Sequence, residues 1–337
     1  MKGRETILVL LLVILNFAVL NAQDLHFSQF NNSPITLNPA FSGINGCSYR
    51  LVANYKAQWT NLDAFQTYAV SYDMAVLKHG PKSNFGGVGL SLMSDVAGDL
   101  NFKTNMMNLS LSYTVLLNKK GTQSISTGLV GGVGIRSFDA SRMTTDAQFA
   151  ENGFDPSLNT MENIPNSRVV FADVGAGFLW NYNVTKNSNY YAGLALSHVN
   201  QPGISFVNQA DERLFMKFTF HGGALIPLTN LMFLMPSFMY LHQGPHDQLN
   251  LGTYVKLRKS IDPKDKTAFY LGGWYRWKDA LIFAARVDIA GFNVGFSYDV
   301  TLSELTKATL NGGPELSVIY TGCFNNKKNA VVFCPTL

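Results

Sequence analysis

Taken at every second residue, the chain sorts into two faces. In the stretch 292–301, Phe292, Val294, Phe296, Tyr298 and Val300 share one parity, and Asn293, Gly295, Ser297, Asp299 and Thr301 share the other. Residues 249–258 repeat the pattern, with Leu249, Leu251, Thr253, Val255 and Leu257 against Asn250, Gly252, Tyr254, Lys256 and Arg258. In 107–118, Met107, Leu109, Leu111, Tyr113, Val115 and Leu117 oppose Asn108, Ser110, Ser112, Thr114, Leu116 and Asn118. Period two marks a strand with one apolar face, and helical spacing fits none of these stretches. Extended along the chain, the template predicts fourteen strands, near 50–59, 65–76, 84–94, 102–118, 122–136, 168–182, 189–199, 213–226, 231–242, 247–258, 266–277, 280–289, 292–301 and 314–322.

The connections point the same way. An even number of strands puts both termini on one side, and in an outer-membrane barrel that side carries the short periplasmic turns. Short turns are expected at 118–121, 227–230 and 290–291, all after even-numbered strands, and the longest loop, 137–167, follows the fifth. The connection 259–265 is long for a periplasmic turn, and 278–279 is tight for an external loop.

A soluble sandwich or propeller would also alternate, but its polar parity would carry many Lys and Glu facing water. Here that parity is Gly, Ser, Asn and Thr with sparse charges: Arg50, Lys56, Asp73, Arg136, Asp173, Lys217, Arg286 and Asp288. Such residues suit a wet lumen whose side chains must also fit one another. Trp59, Trp180, Tyr190, Tyr240 and Trp277 fall near strand ends, where interfacial aromatic girdles sit. The fold class expected is therefore all-β, a transmembrane antiparallel barrel of about fourteen strands.

Composition narrows this further. Only 14% of the 337 residues are charged, against ~25% in an average soluble protein. Beyond residue 20 no apolar run approaches the ~18 residues of a spanning helix, which removes multi-span helical proteins. A net charge of +4, dispersed along the chain, gives no basis for nucleic-acid binding. At the start, Lys2 and Arg4 precede an apolar stretch from Ile7 to Leu20 broken only by Asn16, and Leu20-Asn21-Ala22 ends in a small residue. That is a secretory signal peptide over 1–22, so the mature chain is expected from Gln23 and the outer membrane is the expected location. No Cys lies near that point for lipid attachment.

The domain organisation expected is then a signal peptide at 1–22, a pre-barrel segment at 23–46, the barrel at 47–323 and a periplasmic tail at 324–337. The pre-barrel segment contains Pro34 and Pro39 and lacks alternation, while Phe27, Phe30, Ile35 and Phe41 make it more apolar than a solvated leader. A plug in the lumen fits best, with a position across the periplasmic mouth as the alternative. The loop 137–167, with Phe138, Phe149 and Phe154 among polar residues, reads either as a partner-binding surface or as a lid on its own barrel.

Catalytic signatures are absent: no G-x-S-x-G elbow, no H-E-x-x-H helix, no C-x-x-C pair and no Walker loop. Gly131, Gly132 and Gly134 lie inside a strand pattern without a following Gly-Lys-Ser, so close packing explains them. His242 and His246 flank the Gly244-Pro245 turn rather than sharing a helix face, which removes a metal pair. Arg286 and Asp288 fit a stiffening lumenal charge pair better than acid–base chemistry. An outer-wall hydrolase would have only His198 and His221 as strand histidines, neither with an evident activated Ser. The chain is expected to be no enzyme and to use no cofactor or metal. Of the three cysteines, Cys47 precedes the first strand, Cys323 ends the last and Cys334 lies in the tail. One disulfide suits the oxidising periplasm; three pairings are open, and Cys323 with Cys334 is the one favoured.

Two stretches carry more than pattern. The start reads Gln23-Asp24-Leu25-His26-Phe27-Ser28-Gln29-Phe30, then Asn38-Pro39-Ala40-Phe41-Ser42-Gly43, with Tyr55-Lys56-Ala57-Gln58-Trp59 in the first strand. The end reads Pro314-Glu315-Leu316-Ser317-Val318-Ile319-Tyr320-Thr321-Gly322-Cys323-Phe324, then Cys334-Pro335. This combination resembles the PorP/SprF family of Bacteroidetes outer-membrane proteins of the type IX secretion system. The likeness extends over nearly the whole mature chain, specific at its ends and carried by pattern in its middle. It implies a non-enzymatic barrel that either links the machine to periplasmic, peptidoglycan-associated parts or helps deliver a partner such as a gliding adhesin with a type B C-terminal sorting domain. Leu25-His26 stands where a Pro-containing pair is common, and the tail has fewer basic residues than many members. An outer-membrane channel for small hydrophobic or polar solutes is the alternative function.

Overall fold

The computed structural model describes residues 26–58, 65–77, 83–150, 153–162, 166–185, 187–207, 212–262, 265–303 and 312–324. The expected signal peptide, Trp59 and Cys334 lie outside the described residues.

Alternation of large apolar and small polar residues produces long strands: β1 (Tyr49–Gln58), β2 (Phe65–Val76), β3 (Phe85–Ala97), β4 (Phe102–Leu116), β5 (Gln123–Ser137), β6 (Arg168–Thr185) and β7 (Ser188–Ser197). The second half adds β8 (Lys217–Pro227), β9 (Met232–Gln243), β10 (His246–Arg258), β11 (Ala268–Arg276), β12 (Ala280–Ile289), β13 (Phe292–Thr301) and β14 (Gly313–Gly322). Each pairs antiparallel with its sequence neighbours, and β1 pairs with β14 from Tyr49↔Gly322 to Lys56↔Glu315, closing the ring. Closure leaves no ladder groups unpaired, which a bilayer requires because it offers no alternative partners.

The two parities face as the alternation demands. Leu109, Leu129, Leu271, Phe283 and Phe296 point outward and are more than half exposed, a cost in water and a gain against lipid. The opposite parity buries Arg50, Lys56, Asp73 and Asp173 in the interior. Among the described residues no helix is long and apolar enough to cross a membrane, which leaves a strand-built crossing untouched. The described strands thus close into a fourteen-strand antiparallel β-barrel with an apolar exterior.

The rim that carries the connections after even-numbered strands has short turns, such as 117–122, 228–231 and 290–291, whereas the long connections after β5, β7 and β13 leave from the opposite rim. The first is the periplasmic rim and the second the external one. Two details depart from the sequence expectation. β8 begins at Lys217 rather than near 213, because Gly203 bridges Arg213 and the Leu214 N–H donates to the Pro202 carbonyl, folding those residues back onto the loop. Within 138–167 a two-residue ladder pairs Phe149 with Phe154 and Ala150 with Gly153, local order that alternation over so short a span does not signal.

Candidate functional site

Two features stand out: the chain inside the barrel and the ordered loop outside it. Eight strands make a barrel just filled by side chains and sixteen leave a water channel, so fourteen leave a lumen wide enough for a stretch of backbone. Residues 26–46 lie in that space, nearly all of them buried. The stretch forms three short turns, Phe30–Asn32, Pro34–Leu37 and Pro39–Phe41, each leaving backbone groups that need partners. The inward polar face of the strands supplies them.

Asn38 is the hub. Its Oδ1 accepts from the Ala40 N–H at 2.9 Å, capping the turn that Pro39 starts. Its Nδ2 meets the carbonyls of Phe178 (3.0 Å) and Leu194 (3.1 Å) and the Nε2 of His221 (3.0 Å), tying the turn to β6, β7 and β8. Ala40 passes its carbonyl to the Ser126 hydroxyl of β5 at 2.8 Å. Ser42 meets Ser110 and accepts from the Ser112 hydroxyl of β4, both at 2.7 Å. Gly43, at φ +73°, donates its N–H to Asp73 at 2.9 Å, and Asp73 in turn holds Arg50 at 2.8 Å. Phe41 is fully buried against Ile35, Ile44, Phe85, Leu179 and Tyr191, while Phe30 packs among Phe233, Tyr254, Tyr270 and Trp274. Asn38, Pro39, Ala40, Phe41 and Gly43, the motif segment of the sequence, thus run inside the lumen from the middle of the wall at Asn38 to the end of β2 at Gly43.

The wall is shaped to receive this segment. A Cβ on Gly128 would lie 2.4 Å from the Ala40 nitrogen, and one on Gly87 would lie 2.0 Å from the Ser42 oxygen. Glycine inside a strand weakens it and marks a close backbone approach; here the approaching backbone is the chain's own. The sequence places glycine on the lumenal parity and assigns Gly131, Gly132 and Gly134 to close packing; that Gly87 and Gly128 receive the segment's own backbone is shown only by the closed ring.

At the external end, Glu315 accepts the N–H groups of Ser28 (2.7 Å) and Gln29 (2.9 Å), and Arg276 donates to Asp299 and to the Ser28 hydroxyl, both at 2.7 Å. Beside the segment a cavity of about 100 Å³ is bounded by Phe27, Met93, Met106, Asp173 and His198. His198 lies just past β7 and pairs with Asp173 at 2.9 Å; His221 faces the lumen and meets Asn38. Neither histidine faces the outer wall. His242 pairs with Asp247 at 2.9 Å, and Arg286 joins Asp288 (3.4 Å) and the Asn32 side chain (3.3 Å). Among the described residues no three His, Cys, Asp or Glu are grouped to hold a metal ion.

The cysteines require a correction. Cys323 is bonded to Cys47, their Cα atoms 4.9 Å apart, and not to Cys334 as favoured from sequence. Ring closure is the reason: pairing Tyr49 with Gly322 brings the residues flanking β1 and β14 side by side, a proximity set by topology and not by spacing along the chain.

Outside, the loop 138–167 is held by its own hydrogen bonds. Gln148 is buried, donating to the Leu158 carbonyl at 3.0 Å and accepting from the Thr145 N–H at 3.1 Å, while the Thr145 hydroxyl donates to the Thr160 carbonyl at 2.8 Å. This latch leaves Phe149 63% and Phe154 44% exposed, their rings 5.5 Å apart. The loop contains Asp139, Asp146, Glu151, Asp155 and Glu162 against a single Arg142. Hydrogen bonds from the Ser157 hydroxyl and N–H hold the Asp155 carboxyl below the usual carboxylate range, and Ser141 does the same for Asp139, so both are charged at neutral pH.

A closed fourteen-strand ring with a lipid-facing exterior and a segment of its own chain in the lumen defines an outer-membrane barrel protein. The family model described as type IX secretion system membrane protein PorP/SprF matches residues 19–320, and the chain belongs to that family. No curated protein sequence matches the chain. Among solved structures, the toluene transporter TbuX of Ralstonia pickettii is similar in fold at 11% identity, covering 86% of this chain and 92% of that one with a TM-score of 0.50. The CymD monoaromatic hydrocarbon channel is similar at 9% identity, over 88% of this chain and 94% of that one, with a TM-score of 0.49. A Pseudomonas aeruginosa FadL homologue is similar at 11% identity, over 86% and 94% respectively, with a TM-score of 0.46.

Proposed function

We propose that this barrel serves the type IX apparatus by position: its lumen is plugged by residues 26–46, and its external face docks a secreted partner protein, such as a gliding adhesin, through the loop 138–167. The observation that carries the reading is the latch that keeps Phe149 and Phe154 exposed in an acidic surround. Two exposed aromatic rings held in place by buried hydrogen bonds lose little entropy on burial by a partner, the property of an interface anchor. The surrounding carboxylates favour a partner surface that is apolar at its centre and basic at its rim.

The test is crosslinking in membranes with the double variant Phe149→Ser, Phe154→Ser. The reading expects loss of a crosslinked partner while the barrel retains its heat-modifiable migration in detergent gels. A partner retained by this variant and captured instead from a periplasmic-turn position would move the docking site to the periplasmic side, as a link to peptidoglycan-associated parts of the machine.

A solute channel is the second reading, favoured by the cavity beside the segment and by likeness in fold to the toluene transporter TbuX. Conductance in planar bilayers separates the two. The plugged barrel is expected to be silent and to open only when 26–46 are deleted; free conduction by the intact chain would support the channel.

A further inference from the structure

We infer that the amino-terminal segment is threaded through the barrel from the periplasmic rim outward, so that its described end, His26, lies toward the external mouth, on the same face as the long loops. The inference is independent of the docking reading and rests on which strand end each part of the segment touches.

At one end the segment is tied to the periplasmic rim. Cys47 is bonded to Cys323, the Ser48 N–H donates to the Gly322 carbonyl at 3.0 Å, and the Ala75 N–H donates to the Ser48 carbonyl at 3.3 Å. Gly43 then meets Asp73, still near the periplasmic end of β2. Asn38 reaches the middle of the wall at Phe178, Leu194 and His221. By Ser28 and Gln29 the partners are Glu315, three residues into β14 from its external end, and Arg276, the last residue of β11. The Lys56 Nζ, two residues short of the external end of β1, donates to the His26 carbonyl at 3.2 Å. Glu315 and Gly322 belong to one strand and are separated by about 23 Å of its length at ~3.3 Å per residue. The segment therefore climbs most of the barrel's height between Ser48 and Ser28.

The external end is built as an exit. The Glu315 carboxylate takes two successive backbone N–H groups, and Asp299, Arg276 and Lys56 complete a charged collar around Ser28 and the His26 carbonyl. A chain leaving the collar has the cavity bounded by the external halves of β3, β4, β6 and β8 beside it, and the external medium ahead.

Site-directed labelling tests the direction. Asp24→Cys is placed in a Cys334→Ser background, where Cys47 and Cys323 are consumed by their disulfide, and intact cells are treated with a membrane-impermeant maleimide. Ser157→Cys in the long loop and Thr229→Cys in the β8–β9 turn serve as external and periplasmic references. The expected result is labelling of Cys at position 24 on intact cells at the rate of the Ser157→Cys reference. Labelling only after the outer membrane is permeabilised, as for Thr229→Cys, or no labelling under either condition, overturns the proposal. Leu25→Cys repeats the measurement should Asp24→Cys fail to assemble, as judged by heat-modifiable migration.

Discussion

Asn38 illustrates how much one side chain settles in this barrel. Its amide donates to two strand carbonyls and meets a histidine, and its oxygen caps the next turn. Replacing it with Ala removes a second donor from two strand carbonyls and the partner of the buried His221 Nε2, and a buried polar group left unsatisfied costs about 1–3 kcal/mol. Asn38→Ala is expected to lower the urea midpoint of unfolding in lipid vesicles without altering strand content by circular dichroism. An unchanged midpoint would mean that water replaces the amide and that the hub is not structural. At this scale the sequence was partly legible. The run Asn38 to Gly43 stood out, and Phe30 and Phe41 were too apolar for a solvated leader. The partners of these residues were not legible, because Gly128, Asp73 and Ser126 belong to strands far along the chain and look like ordinary lumenal residues until the ring brings them inward.

At the level of elements, alternation identified the strands well because each must satisfy lipid on one side and a polar lumen on the other, a constraint that every residue of a strand repeats. Boundaries slipped where local folding overrode parity, as at Gly203 and Arg213 ahead of β8. The disulfide slipped for a different reason. Folding back the tail favoured Cys334, although closing the ring was expected to set Cys47 and Cys323 on one rim, where the β1–β14 ladder brings them together across a separation of 276 residues. This pairing is open to direct measurement. Alkylation of the unreduced protein is expected to modify Cys334 alone, with Cys47 and Cys323 becoming reactive only after reduction, and peptide mass mapping reads each site. Modification of Cys47 before reduction would return the pairing to the alternatives the sequence left open.

For the molecule as a whole, the segment 26–46 completes an apolar and hydrogen-bonding interior to which the strands also contribute. Phe30 and Phe41 each fill a separate apolar cluster, and fully burying one Phe side chain is worth about 1.5–3 kcal/mol. Removing 26–46 is therefore expected to lower the temperature at which the barrel loses its compact gel migration, even where the strands still close. Equal thermal resistance with and without the segment would show that the ring is self-sufficient and the segment a passenger.

The seam between the first and last strands has a consequence for biogenesis. That seam zips only after residue 322 has been made, whereas the segment it encloses is among the first parts of the chain to leave the translocon. The nascent sheet must accordingly curl around a thread already lying along its concave side, as staves are raised around a mandrel, and whatever catalyses insertion has to accept a cylinder that is occupied before it is shut.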